Sequence, residues 1–286
     1  MGLKRTVFRA CNAILRKFNL ELQVVSEDFH ARLDQPSQIN RIFSDFEKIA
    51  APWLRQQTLF PLACEFDLTS ALRPFYQQFL DSPFRGQGGG SRFNNLAWLY
   101  LIAKAMKPRF VIDSGTFRGA SAWAFSLAGV KVYSFDIDLS RLAYRTNSVV
   151  YTESDWTAFD WDGFDFSNSL IYFDDHLDQV RRLIEASQRG IPLAIFDDDF
   201  PLTSFAPMAL QGIALPKIEF VLDDDLRNAQ DISWLVGSHR YVFPLDHSYL
   251  ARARSLIAAT ERLPDTSMVT GIQQTPYRLV RPVASI

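Results

Sequence analysis

The stretch Val111-Ile112-Asp113-Ser114-Gly115-Thr116-Phe117-Arg118-Gly119-Ala120-Ser121 decides how this chain is read. An apolar run ends in an acid, a turn with two glycines follows, and an apolar helical pattern then begins. Glycine lets a backbone turn where other residues resist and lets it come close to a ligand. The first N–H groups of the helix that follows are free to meet an anion or a carboxylate. The spacing Asp113-x-Gly115-x-x-x-Gly119 is not the Gly-x-Gly-x-x-Gly of dinucleotide binders. It is not a P-loop either, because no Gly-Lys-Ser/Thr follows.

Outward from this turn, helix and strand alternate. Residues 96–106 read as a helix, 109–113 as a strand, 120–128 as a helix, and 130–135 as a strand ending at Asp136. Residues 140–146 read as a helix and 148–152 as a short strand. Residues 170–173 form a strand ending at Asp174-Asp175, 177–189 an amphipathic helix, and 192–196 a strand ending at Asp197-Asp198-Asp199. Such alternation means βαβ units and a parallel sheet covered on both faces. Residues 217–222, 240–243 and 277–281 are further candidate strands.

Four of these strands end in acids. In an open α/β sheet, ligands bind outside the carboxyl ends of the strands. Asp113, Asp136, the Asp174–Asp175 pair and the run Asp197 to Asp199 should therefore converge on one rim. Unpaired, so many carboxylates repel one another and resist desolvation. Something positive or hydrogen-bond-donating is expected among them.

The bulk properties set bounds. A chain of 286 residues holds one α/β domain with an appendage, or two small domains, and buries a core without staples. The net charge of -2 argues against a general nucleic-acid binder. Cys11 and Cys64 lie far apart, which fits a reducing compartment and no disulfide framework. No apolar run approaches the ~18–20 residues of a spanning helix. Lys4, Arg5, Arg9, Arg16 and Lys17 are scattered instead of preceding an apolar stretch, unlike a signal peptide. A cytoplasmic location is expected.

Residues 3–18 place Leu3, Val7, Cys11, Ile14, Leu15 and Phe18 on one helical face. This is read as a helix packed on its own domain, with a basic helix peripheral to an anionic membrane, or on a partner, as the alternative. Met1-Gly2…Thr6 also fits the loose N-myristoylation pattern, which often matches by chance. The expected organisation is an N-terminal helical extension over 1–85, a Gly-rich loop or lid over 86–95, and an α/β domain over 96–286. Pro52, Pro61 and Pro74 are expected breaks in the extension, and Gly86-Gln87-Gly88-Gly89-Gly90-Ser91 marks the loop.

Asp113-x-Gly115-x-x-x-Gly119 resembles the first motif of class I S-adenosylmethionine (SAM)-dependent methyltransferases, whose loop wraps the methionine part of SAM. The resemblance covers about residues 96–200 and a closing strand near residue 280. It implies a Rossmann-like, doubly wound α/β fold with a mostly parallel seven-stranded sheet, and SAM as cofactor. Asp113, Gly115, Thr116, Gly119 and Ser121 then belong to the cofactor loop. Asp136, in Tyr133-Ser134-Phe135-Asp136-Ile137-Asp138, matches the acid that accepts the ribose hydroxyls. In Glu153-Ser154-Asp155-Trp156, Asp155 would meet the adenine amino group and Trp156 would stack on the ring.

A second constellation is Tyr172-Phe173-Asp174-Asp175-His176 with Phe196-Asp197-Asp198-Asp199-Phe200-Pro201. A hard cation such as Mg²⁺ wants oxygen ligands, and two adjacent strand ends can supply them. The pattern resembles metal-dependent O-methyltransferases of the catechol and macrolide-sugar types. There one Asp follows the fourth strand and an Asp-Asp or Asp-Asn pair follows the fifth. In that family the metal holds the acceptor hydroxyl, lowers its pKa and orients it for attack on the methyl group. The resemblance implies Asp175, Asp198 and Asp199 as metal ligands, with a one-residue shift to Asp174, Asp197 and Asp198 left open. Asp175 and His176 are the candidate catalytic residues, His176 as general base or as partner of a ligand. The lysine that catechol-type enzymes carry shortly after the first metal Asp is missing, and Asp178 stands in that neighbourhood. Two alternatives to a metal stay open: direct substrate contacts by these acids, and capping without function, Asp174 at the helix near 177 and Asp199 at a turn at Pro201.

His30, His239 and His247 share no metal spacing, and Asp223-Asp224-Asp225 reads as a solvated loop. The expected activity is methyl transfer from SAM to a hydroxyl of a small molecule or sugar, since chelation suits vicinal oxygens. Two other classes stay open. One is a metal-dependent glycosyltransferase built on Asp197-x-Asp199, and the other is a non-catalytic SAM-fold scaffold module. A homo-oligomer is an open expectation.

Overall fold

The computed structural model describes residues 36–63, 67–85, 91–201, 215–236 and 238–283. The expected helix over 3–18, Cys11, His30, Cys64 and the glycines at 86–90 lie outside the described residues.

Three helices lead into the sheet: α1 (Pro36–Gln56), α2 (Leu68–Asp81) and α3 (Phe93–Met106). Asp67 caps α2 by accepting from Ser70 N at 3.1 Å. Pro52 and Pro74 were expected to break helices, yet each lies inside one. The apolar faces on both sides of each proline, Phe46 with Leu54 and Leu72 with Phe79, are buried and hold the helix through it. Every residue of α3 except Lys104 is buried, because the sheet covers one side and α1 and α2 the other. Trp98 of α3 meets Phe46 and Trp53 at ring-centroid distances of 5.6 and 5.4 Å, and Tyr100 stacks on Phe75 at 4.7 Å.

The chain then runs β1 (Phe110–Ser114), α4 (Ala120–Leu127), β2 (Lys131–Asp136), β3 (Val149–Glu153), β4 (Ser169–Phe173), α5 (Gln179–Gln188) and β5 (Ala194–Phe196). After these come α6 (Ile218–Leu222), β6 (Asp231–Val236), β7 (His239–Pro244), α7 (His247–Ser255), β8 (Ile257–Arg262), α8 (Ser267–Thr270) and β9 (Arg278–Pro282). Seven strands form one sheet in the order β3-β2-β1-β4-β5-β9-β8. The first five are parallel, and β9 runs antiparallel between β5 and β8. This is the expected Rossmann-like, mostly parallel α/β sheet. Strands β1, β4 and β5 are buried at every position, as strands covered on both faces must be. The strand order reverses between β1 and β4, so the crevice outside their carboxyl ends is where a ligand is expected.

Three local readings are corrected. Residues 140–146 form turns and coil, not a helix. Asp138 takes Ser140 N at 2.8 Å, and Ala143 N donates to Arg118 O at 3.1 Å, so the segment is tied to the glycine loop instead of to its own ladder. Residues 217–222 hold helix α6, whose Glu219 N–H is met by the Asp199 carboxylate at 2.8 Å. Residues 240–243 do lie in a strand, but β7 pairs only with β6 in a separate hairpin. No helix among the described residues is long and apolar enough to cross a membrane.

Candidate active site on the carboxyl rim of the sheet

The glycine turn is built by its neighbours on both sides. Gly115 N and Thr116 N donate to Phe135 O at 2.9 and 3.1 Å, which binds the turn to β2. Gly115 has φ +109°, and a Cβ there would stand 2.4 Å from the carbonyl oxygen of Asp174. The glycine is therefore demanded by the close approach of the β4 exit. Phe117 is also left-handed, with φ +44°, and its N–H donates to Asp136 Oδ2 at 2.7 Å. Asp136 thus closes the loop from the end of β2, while its other oxygen, among the described residues, takes only Asp138 N at 3.2 Å. Gly119, at φ +89°, opens α4. A cavity of about 450 Å³ lies beside the loop, lined by Phe117, Arg118, Arg141 and Ala143.

Asp113, Thr116, Ser121 and Ser134 are buried beneath the loop. Ser134 Oγ lies 2.7 Å from Thr116 Oγ1 and donates to Asp113 Oδ2. Burial, offset in part by the Ser134 and Ser121 hydroxyls, pushes the Asp113 carboxyl up to about 7. Asp113, Thr116 and Ser121 therefore build the loop from below, and Asp136 is the half-buried acid left at its edge.

A pH dependence follows. In the unfolded chain Asp113 ionises near 3.8, and in the fold near 7, so the folded pKa is raised. Stability from its neutral form is complete below 3.8 and is lost as the pH rises through about 7. Asp113→Asn should thus gain on the wild type between these limits, by an amount on the order of a few kcal/mol, and then level off. Urea denaturation of both proteins across this range checks it, and a gain that does not vary with pH would mean that Asp113 is not buried as an acid.

The expected adenine-side residues are placed differently. Asp155 caps a short turn through Thr157 N at 2.9 Å and pairs with Arg182 Nη2 at 2.6 Å. Burial raises its pKa, but the Arg182 and Thr157 hydrogen bonds outweigh this and hold the carboxyl at about 2. Trp156 is fully buried beside Phe173, at a ring distance of 6.1 Å. It presents no open face for stacking, because the apolar cluster under β4 has absorbed it.

The acidic rim is also sorted differently from the expected ligand set of Asp175, Asp198 and Asp199. Asp175 is turned away to Arg182 Nε and Ser114 Oγ, both at 2.7 Å, and is neither a free ligand nor a free acid. Asp199 is fully buried against Arg278 Nε at 2.6 Å. Asp197 is enclosed by Tyr172 OH at 3.0 Å, Thr275 Oγ1 at 2.7 Å and Asp198 N at 2.7 Å. Asp197-x-Asp199 thus offers no pair of open carboxylates, so the geometry does not favour the glycosyltransferase alternative.

Asp174, His176 and Asp198 converge instead, with one ligand atom from each lying within 4.8 Å of the others. His176 Nε2 stands 3.5 Å from Asp174 Oδ1 and 3.8 Å from Asp198 Oδ2. His176 and Asp198 both have φ +56°, a left-handed turn that redirects each side chain. Burial, followed by Asp197, Asp198, Asp113 and Asp175, raises the Asp174 carboxyl well above its ordinary range. Burial also raises Asp198, against the pull of Lys217 and His176.

The expected positive partners are present, at positions that no motif singles out. They are Arg182 of α5, Arg278 of β9 and Lys217 just before α6. Lys217 is 2% exposed. Burial lowers its pKa, and Asp198, Asp199, Asp197 and Asp174 pull it back up. An isolated Lys between Pro216 and the apolar Ile218 was the available signal. His239 and His247 stay away from the rim, His247 Nε2 lying 2.8 Å from Ala229 O.

The sequence matches no family model and no curated protein. Solved structures that align with the chain include CmcI with magnesium and SAM, at 16% identity over 78% of this chain and 82% of that one, with a TM-score of 0.40. The O-methyltransferase TomG from Streptomyces achromogenes, in complex with SAM, aligns at 12% identity over 87% and 98%, with a TM-score of 0.39. Magnesium protoporphyrin IX methyltransferase from Synechocystis, with bound SAH, aligns at 13% identity over 86% and 100%, with a TM-score of 0.37.

Proposed function

We propose that the protein is a SAM-dependent O-methyltransferase that acts on a hydroxyl of a small molecule or sugar and uses a divalent cation. One observation carries the reading: two unlike sites flank the same switch point. On one side is a glycine loop closed by the β2 acid, through Phe117 N to Asp136. On the other, Asp174, His176 and Asp198 converge at the ends of β4 and β5.

The chemistry assigns each side a task. A SAM held beside the glycine loop would supply an electrophilic methyl group to an acceptor oxygen, with the hydroxyl proton passing to solvent. Asp136 fits the cofactor because it is half-buried and one of its oxygens is only weakly occupied, which suits a ribose hydroxyl. The 450 Å³ cavity beside the loop is within the size range of ligand sites. Asp174 and Asp198 would hold the cation, since both are mostly buried and neither accepts a hydrogen bond among the described residues. A cation bound there supplies a Lewis acid that makes an acceptor hydroxyl easier to deprotonate. Lys217 balances part of the negative charge gathered around it.

S-adenosylhomocysteine should bind the purified protein with micromolar affinity in calorimetry, with Mg²⁺ or with EDTA. Asp136→Asn keeps an acceptor for Phe117 N but loses the charge that meets the diol. It should weaken binding about tenfold or more, the worth of a hydrogen bond to a charged group. No binding to the wild type in either condition would overturn the reading, and unchanged affinity in the variant would remove Asp136 from the site.

A further inference from the structure

Seven carboxylates gather on or just beneath this rim, and five of them have donors. Asp113 takes Ser134, Asp136 takes Phe117 N, Asp175 and Asp199 take arginines, and Asp197 takes Tyr172 and Thr275. Asp174 and Asp198 take none among the described residues. Asp198 is 7% exposed, and a buried carboxylate that accepts no hydrogen bond is costly unless a positive charge sits close to it. Lys217, although buried nearby, forms no ion pair with them among the described residues. The side chain that both do face is His176, with Nε2 at 3.5 and 3.8 Å. Ligand atoms about 2.1 Å from a tetrahedral ion stand about 3.4 Å apart, and the three atoms, all within 4.8 Å of one another, are close enough to share one ion.

The geometry points to a transition-metal centre: we propose that Asp174, His176 and Asp198 bind one divalent first-row transition ion, such as Mn²⁺, Fe²⁺, Co²⁺ or Zn²⁺, in preference to Mg²⁺. Mg²⁺ is hard, takes oxygen ligands and gives up water reluctantly. An imidazole nitrogen adds little for Mg²⁺ and much for ions along the series from manganese to zinc. His176 is expected from the sequence as a general base or as partner of a ligand, and as a ligand itself it is committed to the ion. It is 53% exposed, so the centre opens to solvent on its side and keeps positions for an acceptor. The proposal gives the cation of the function above its identity, but ion binding itself does not depend on that function.

The test uses the full chain stripped with EDTA, then titrated with Co²⁺ and followed by visible absorption. One equivalent should bind with the bands of a mixed oxygen–nitrogen site, and Mg²⁺ should compete only at a hundredfold excess or more. His176→Ala changes a half-exposed side chain and should stay folded by circular dichroism. It should lose at least tenfold in Co²⁺ affinity with little change for Mg²⁺. Asp198→Asn should abolish both. Absence of Co²⁺ binding, equal Mg²⁺ and Co²⁺ affinity, or a His176→Ala variant that binds Co²⁺ as well as the wild type would each overturn the proposal. S-adenosylhomocysteine binding without Co²⁺ binding would overturn this inference alone, and the reverse would overturn the methyl-transfer reading alone.

Discussion

Gly115→Ala should cost more than about 4 kcal/mol, which is the range of exceptional single substitutions. Two effects add. The backbone at φ +109° is a conformation that an L side chain rarely adopts. The new methyl group would also sit 2.4 Å from Asp174 O and 2.8 Å from Asp175 N, both backbone atoms that cannot rotate away. Relief requires β4 to move off β1. That strains the bond from Asp174 N to Ser114 O, at 2.8 Å, and the parallel register from Phe110–Ser169 to Ser114–Phe173. Asp174 would move with it, so the acid centre loosens along with the fold. Gly119→Ala is the control. It is also left-handed, but its closest contact is the movable Leu142 Cδ1 at 2.8 Å, so its cost should be smaller, about 1–2 kcal/mol. Urea denaturation of both variants decides the matter. A Gly115→Ala midpoint equal to that of the wild type would mean that β1 and β4 do not approach this closely in solution.

The sheet was legible because its centre is covered on both faces. Strands β1, β2, β4 and β5 then read as apolar runs punctuated by acids, and the turn at Gly115 fixed where the first one ends. The peripheral elements lacked that signal. Residues 217–222 form too short an apolar run to tell helix from strand, and α6 is chosen by the Asp199 carboxylate at its start. Strand β8 reads Ile-Ala-Ala-Thr-Glu-Arg with no clear alternation, and it is held by antiparallel pairing with β9, which returns to it after the α8 segment. In the site, the rim acids could be named but their partners could not. Which acid faces the centre is set by left-handed backbone at His176 and Asp198, which the sequence hints at no further than the general enrichment of His and Asp in that conformation. It is set as well by Arg278, which lies 79 residues from the Asp199 that it holds.

Arg182→Met should cost about 3–5 kcal/mol at neutral pH, because removing one partner of a buried ion pair leaves the others uncompensated. The guanidinium is buried and reaches three carboxylates: Asp155 Oδ2 at 2.6 Å, Asp175 Oδ2 at 2.7 Å and Glu185 Oε2 at 2.7 Å. Methionine replaces its stem but none of its charge, so the loss is electrostatic and must depend on pH. Asp155 ionises near 3.8 when unfolded and near 2 in the fold, a depressed value. The stability it gains from Arg182 is therefore complete above 3.8 and disappears as the pH falls through 2. The deficit of Arg182→Met should shrink over the same interval, and denaturation at neutral pH and in acid reads this directly. A deficit that does not change with pH would assign the loss to packing alone. A double variant carrying Asp175→Asn as well should recover part of the deficit, since it removes one of the abandoned charges. The arginine also does something for the site that stability alone does not reveal. Asp174 and Asp175 are neighbours at the end of β4, and the bonds of Asp175 to Arg182, Ser114 and Leu177 N hold this further carboxylate away from the Asp174–His176–Asp198 group. The Arg182→Met protein should therefore bind Mg²⁺ more nearly as well as Co²⁺, because a released Asp175 adds oxygen to the centre and dilutes the contribution of its single imidazole.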